Sequence, residues 1–293
     1  MGRRSARETA KAAQRSRPQP RKRVAQVRPW GWEDVAWVGI ALFIFKVLMV
    51  LIVGNRFTAL MPDEGIIGVR VILLIVFHLA LLMILAYRAH CRHLSFSEAY
   101  RLRKLSPEEL ERQQIPLWNG KKNKVAEGVQ DHAQQSTETE QFLPAWQSAL
   151  LVLVLFLGLR IFVMVYTYVT SELGWVTSPA ESLTNLFSPT LFGLVAAVMV
   201  IVLLAPFIEE LVFRVIMFGT FARKMSIALA VILQGLIFSL SHLSVWAAVP
   251  NFLLALACVY LIQRCRTAIP AILLHVLYNA AVVAAAFYLA MTH

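Results

Sequence analysis

The chain has 293 residues, 58% of them hydrophobic and only 15% charged, with a mean hydropathy of +0.64 and a formal charge of +11. A soluble domain of that length cannot hide so much apolar surface. The apolar residues fall in runs of about twenty, enough to cross a hydrocarbon core of about 30 Å at about 1.5 Å per residue. The runs are continuous rather than alternating, so helices, not strands of a closed barrel, are expected to satisfy the backbone in lipid.

Residues 1–29 are rich in Arg, Lys, Ser and Gln with Glu8 the only acid, and they cannot build a core; they read as a disordered basic cytoplasmic tail that contacts anionic lipid. The tail is Arg-rich and acid-poor as transit peptides are. The run behind it is too long for a cleaved signal and lacks an A-x-A end, so a first span that stays in the protein is expected. Two N-terminal transmembrane helices fill 30–90, at about Val35 to Val53 and Ile66 to Tyr87. Residues 91–143 form a polar loop. Within it Ser106-Pro107-Glu108-Glu109 has a capping residue, Pro at the first helical position and Glu three on, which predicts a short helix. From Asn119 to Glu140 the composition is that of a flexible loop.

A third span, about Ala145 to Tyr168, and an external loop occupy 144–188. Residues 189–293 hold the remaining runs: Pro189 to Ala205, Phe207 to Phe221, Ser226 to Leu243, Ala247 to Ile262 and Ala268 to Leu289, the first two separated only by Pro206. The expected architecture is an all-α, polytopic transmembrane helical bundle of seven to eight membrane helices. Lys and Arg crowd the tail and the stretch from Arg88 and Arg92, whereas 54–65 and 170–188 hold only Arg56. The N-terminus and the 91–143 loop are therefore expected in the cytoplasm. Arg223-Lys224 and Arg264/Arg266 fall on the same side if Pro189 to Phe221 makes one net crossing. The basic residues sit beside apolar runs rather than among aromatic stacking partners, so the partners expected are the lipid bilayer and a peptide or protein, with no nucleic acid. Cys91, Cys258 and Cys265 show no paired or metal-type spacing, and no disulfide framework is implied.

Ala205-Pro206-Phe207-Ile208-Glu209-Glu210-Leu211-Val212-Phe213-Arg214 places two carboxylates and a guanidinium in an apolar stretch. Each such charge costs about 2.5–3.5 kcal/mol on insertion scales, so a span keeps one for a reason. Glu210 and Arg214 are four apart on one helical face and can pair. Glu209, turned about 100° away, is left for chemistry. Phe238-Ser239-Leu240-Ser241-His242 ends another apolar helix with an imidazole, and His275 and Asn279 share a face of the last span. Singly, each of these groups reads as an interhelical hydrogen-bonding group. Together Glu209, His242, His275 and Asn279 supply a base, a second proton-handling group and oxyanion donors on three helices. At about 1.5 Å per residue, Glu209 lies about 21 Å from Arg223, Asn279 about 20 Å and His275 about 14 Å from Arg266, but His242 about 27 Å from Lys224. Among the other ionisable groups of the spans, Lys46, Arg70 and His78 read as snorkelling or internally paired, while Arg160, nearly mid-span, is a candidate partner of Glu210 or of an anionic substrate group.

This pattern resembles the CPBP family of intramembrane peptidases, which includes the type II CAAX prenyl proteases and bacterial Abi or bacteriocin-processing proteins. The resemblance rests on Glu209, Glu210 and Arg214, then Phe238 and His242, then His275 and Asn279, in that order, and covers about residues 190–285. Ala205-Pro206 and Ala268-Ile269-Pro270-Ala271 are also similar to the family. Val215 stands where a Gly commonly follows the Arg, and Ala257-Cys258 replace a Gly-rich stretch. The resemblance implies that 189–293 is the peptidase core of a multi-pass membrane protein, in the inner membrane if the source is bacterial. It implies that Glu209, helped by His242, activates a water against the peptide bond of a membrane-associated or prenylated substrate, while His275 and Asn279 stabilise the oxyanion. The family has also been described as metal-dependent, which makes Glu209, His242 and His275 candidate ligands of a Zn2+ ion. The rival readings are a non-catalytic scaffold that uses the polar cluster for packing, and a proton-coupled transporter, which calls for paired broken helices where only Pro206 marks a break.

Overall fold

The computed structural model describes residues 30–53, 63–106, 109, 143–174 and 179–292. The expected tail at 1–29 and the flexible loop from Asn119 to Glu140 lie outside the described residues. Among the described residues all regular structure is helical. The elements are α1 (Trp32–Val53), α2 (Asp63–His90), the single turn α3 (Phe96–Ala99), α4 (Ala145–Glu172), α5 (Pro179–Phe187), α6 (Leu191–Lys224), α7 (Ile227–Leu240), α8 (Val245–Cys265) and α9 (Ile269–Thr292). Five of the described helices are long and apolar enough to cross a membrane: Ile67–His90 of α2, then α4, α6, α8 and α9. The apolar helix α7 is shorter.

Polar side chains set the boundaries. Thr190, Ser226 and Ser244 each accept a hydrogen bond from the backbone N–H three residues on, at 3.1, 3.3 and 3.2 Å, capping α6, α7 and α8. Ser106 and Glu109 exchange the two bonds of the expected capping box, at 3.2 and 2.8 Å. Arg266 closes α8 in the left-handed region, with φ 54°. At the α5–α6 corner a Cβ on Gly193 would fall 2.0 Å from the Phe187 carbonyl oxygen, so glycine is what lets the two helices meet.

Two expectations about the core change. Pro189 to Ala205 and Phe207 to Phe221 are one continuous helix of 34 residues, with no break at Pro206. Proline is accommodated because Val198–Leu204 and Glu210–Met217 are wound as π-helix, and the Ala205 N–H bonds five residues back to Val200. The run expected from Ser226 to Leu243 is helical only over the 14 residues of α7. His242 sits in the turn beyond, so a depth that assumes a straight helix as far as His242 overshoots.

α7 packs along α8 and α8 along α9, while α9 also touches α4, α5 and the first π segment of α6. The core is centred on α6, where Leu211, Val212, Phe213, Val215 and Ile216 are all buried. The basic segments, scattered in sequence, converge at one end of the bundle. Asp34 receives Arg88 and Arg92 at 2.5 Å each, Arg223 donates to the Trp30 carbonyl, and Thr267 Oγ1 and the Ala268 N–H both donate to the Arg101 carbonyl.

Candidate active site

Glu209 ends the α-helical stretch of α6 and Glu210 begins its second π segment, and as consecutive residues they point to different sides of the helix. Glu210 and Arg214 are both fully buried, with Arg214 Nε 3.2 Å from Glu210 Oε2, the i,i+4 pair expected from spacing. The contact is within ion-pair distance but not aligned as a hydrogen bond. The Arg214 guanidinium lies 4.1 Å from the centre of the Phe238 ring, which offers its π face to the cation. The other Glu210 oxygen, Oε1, stands 2.8 Å from His275 Nδ1. A carboxylate only accepts, so Nδ1 carries the proton and Nε2 is turned the other way. Nε2 faces Glu209, 3.7 Å from its Oε2. His275 thus stands between the two acids, its ring 5.6 Å from that of Phe238.

Glu209 is the more open acid, its side chain 25% exposed. It lines a cavity of about 510 Å³ together with His242 and Ser241 from the end of α7, Phe43 of α1, and Phe77 and His78 of α2. The cavity walls are otherwise apolar. His242 folds back so that Nδ1 lies 2.9 Å from the Phe238 carbonyl, and its ring meets Phe238 edge to face at 4.8 Å. With Nδ1 donating there, chemistry at this imidazole falls to Nε2.

Glu209, Glu210, His275, Phe238 and His242 are therefore linked through neighbouring contacts, and Glu209 and His242 share the cavity. His275 and Asn279 do not line it. Asn279 Nδ2 donates to the Ile201 carbonyl at 2.9 Å. In the five-residue register of the π segment that carbonyl faces Pro206, which has no N–H, and the amide takes its place. Arg160 has no bond to Glu210, whose ion pairs run to Arg214 and His275. The partly exposed Arg70 donates to the Asn185 carbonyl at 3.2 Å, and the buried His78 has its Nδ1 2.6 Å from the Leu74 carbonyl, so each has an internal partner. The side chain of Lys46 lies outside the described residues.

Sequence reasoning passed over the place of His78 and Ser241 in the cavity wall. A buried imidazole in a span was the only signal for His78, and nothing in its spacing ties α2 to α7. Among the described residues no group of three or more His, Cys, Asp or Glu side chains is gathered as a metal site requires. As arranged, Glu209, His242 and His275 do not make a three-ligand set for Zn2+, and no step is derived through a metal.

A helical integral membrane protein with a glutamate and histidine cluster inside its core is the class these features define. Residues 191–281 match the family described as Rce1-like, type II CAAX prenyl endopeptidase Rce1-like. That stretch holds all three motifs on which the resemblance to the CPBP and CAAX proteases rests. No curated protein and no solved structure matches the chain.

Proposed function

We propose that the chain is an intramembrane endopeptidase that cleaves a peptide bond of a membrane-associated, prenylated substrate, with Glu209 as the base. The observation that carries this reading is that Glu209 and His242 line one cavity while Glu210, Arg214 and His275 are buried behind it. Glu209 takes a proton from a water held between it and His242. The resulting hydroxide attacks the scissile carbonyl, His242 Nε2 accepts the other hydrogen of that water and so orients it, and the protonated Glu209 returns its proton to the leaving amine. His275 is a positioning residue, held by Glu210 at one nitrogen and set against Glu209 at the other. Asn279 keeps the π segment before Glu209 in register through Ile201. Phe43, Phe77 and the other apolar walls suit an isoprenoid chain beside the scissile bond, in keeping with the prenyl substrates in the family's description.

Seven crossings, by α1, α2, α4, α6, α7, α8 and α9, are the topology we favour, with the N-terminus cytoplasmic and, in a bacterium, the inner membrane as the site. Its support is the gathering of Asp34, Arg88, Arg92, Arg101 and Arg223 at one end: α1 with α2, and then α4 with α6, each return the chain to the side of its cytoplasmic tail.

Purified chain in detergent or nanodiscs should cleave a prenylated C-terminal peptide, and Glu209→Gln should lower kcat by about 10²–10⁴-fold with its melting temperature unchanged. Full turnover in the variant would sink the assignment. Loss of stability with no cleavage even in the wild type would favour the scaffold reading, in which the buried cluster serves packing alone.

A further inference from the structure

Arg101 lies outside the site just described, on the turn after α3, at the basic end of the bundle. It is 4% exposed, and its Nε is buried without an acceptor. The residue is held where it is by its backbone: its carbonyl accepts from Thr267 Oγ1 at 2.9 Å and from the Ala268 N–H at 2.8 Å, and its φ is 54°. The turn that connects α8 to α9 thus pins the guanidinium in place whether or not the guanidinium itself has a partner.

Its charged neighbour is another cation. Arg223, in the last turn of α6, is close enough for its charge, after burial, to help push the Arg101 guanidinium down to about 10. Arg223 donates to the Trp30 carbonyl, and Trp30 Nε1 donates to the carbonyl of Ala99, two residues before Arg101, at 3.3 Å. The nearby carboxylate, Asp34, is already shared by Arg88, Arg92 and the Gly31 N–H. Arg92 is also stacked over Trp30, with its guanidinium carbon 4.3 Å from the ring centre. Arg88, Arg92 and Arg223 therefore share one buried carboxylate, while Arg101 has the Arg223 charge beside it. A desolvated guanidinium beside a like charge is unfavourable unless an anion completes it.

We propose that Arg101 and Arg223 form a binding site for a phosphate group at the membrane surface, the phosphate of an anionic phospholipid or the same group free in solution. Arginine suits such a ligand because its planar fork meets two phosphate oxygens at once. The location agrees with a lipid source. Arg223 ends a membrane-spanning helix, and Lys224, exposed beside it, belongs to the rim a headgroup would meet. An anion bound there would tie α1, through Trp30, to α6 and to the α8–α9 turn. This site is independent of the peptidase reading, and its failure would leave that reading untouched.

The test uses the full chain, in vesicles of phosphatidylcholine alone and of phosphatidylcholine with phosphatidylglycerol, and in neutral detergent with and without inorganic phosphate. The wild type should melt about 5 °C higher with phosphatidylglycerol. Lys224→Gln should keep most of that rise. Arg101→Gln should lose it, yet be at least as stable as the wild type when no anion is present, because the buried charge beside Arg223 is gone. A rise with inorganic phosphate that Arg101→Gln also abolishes supports the same site with a soluble source. The proposal is overturned if the wild type shows no preference for phosphatidylglycerol or phosphate, or if Arg101→Gln keeps the response. It is equally overturned if Lys224→Gln loses as much as Arg101→Gln, which marks general surface attraction, or if Arg101→Gln fails to fold without anion.

Discussion

The helix α4 and the helices of the Rce1-like segment are all apolar, but they use that property differently. In α4 only 22% of the most hydropathic window is buried inside the protein, against 44% for α6 and 50% for α8. α4 spends its apolar side chains on the bilayer, with Leu157, Ile161, Met164 and Tyr168 all at least half exposed. α6 spends them on its neighbours, and this makes room in its interior for charges that lipid would reject. Hydropathy alone ranks the two helices nearly alike, at 2.6 and 2.9. What separates them is the cluster of Glu209, Glu210 and Arg214 inside α6, whose members need partners from other helices.

The contrast can be broken most sharply at Arg214. Replacing it with Met leaves Glu210 buried without its guanidinium partner, and the expected loss is about 3–5 kcal/mol by thermal unfolding in detergent. Pairing Arg214→Met with Glu210→Leu should recover much of that. If the single variant unfolds like the wild type, the pair does not hold the core. A matched pair of leucines sharpens the same point. Leu211→Ala, in a fully buried position, should cost about 2–5 kcal/mol, while Leu157→Ala, 50% exposed on α4, should stay within about 0.5 kcal/mol. Equal losses at the two positions would mean that α4 is covered by protein.

Asn279→Ala should cost about 1–3 kcal/mol by leaving the Ile201 carbonyl unpaired. Pro206→Ala in the same chain should return part of it by supplying the missing N–H, and additive losses in that cycle would refute the register described for the π segment. The smallest effect lies at the surface loop, where the Arg103 guanidinium 2.5 Å away holds the Glu109 carboxyl down to about 2. A carboxyl with a depressed folded value stabilises above its unfolded value near 4.5 and loses that contribution as pH falls toward 2. Glu109→Gln should therefore flatten the pH dependence of melting slightly between those limits, and an unchanged profile would show that the pair is open in solution.

The helical class, the positions of α8 and α9 to within about three residues and the i,i+4 pairing of Glu210 with Arg214 were legible in the sequence, because each depends on hydropathy and local spacing alone. The three motifs also marked the right segment, which residues 191–281 match as a family. The continuity of α6 was not legible. A proline between two apolar runs reads as a break, and only the Asn279 amide, 78 positions away, satisfies the carbonyl that Pro206 leaves bare. Nor does any spacing rule predict that His275 divides itself between Glu209 and Glu210, or that α1 and α2 wall the cavity that Glu209 and His242 share. The sequence by itself determined which side chains are costly to bury. Tertiary structure decided which of them meet, because a partner drawn from another helix leaves no periodic trace in the chain.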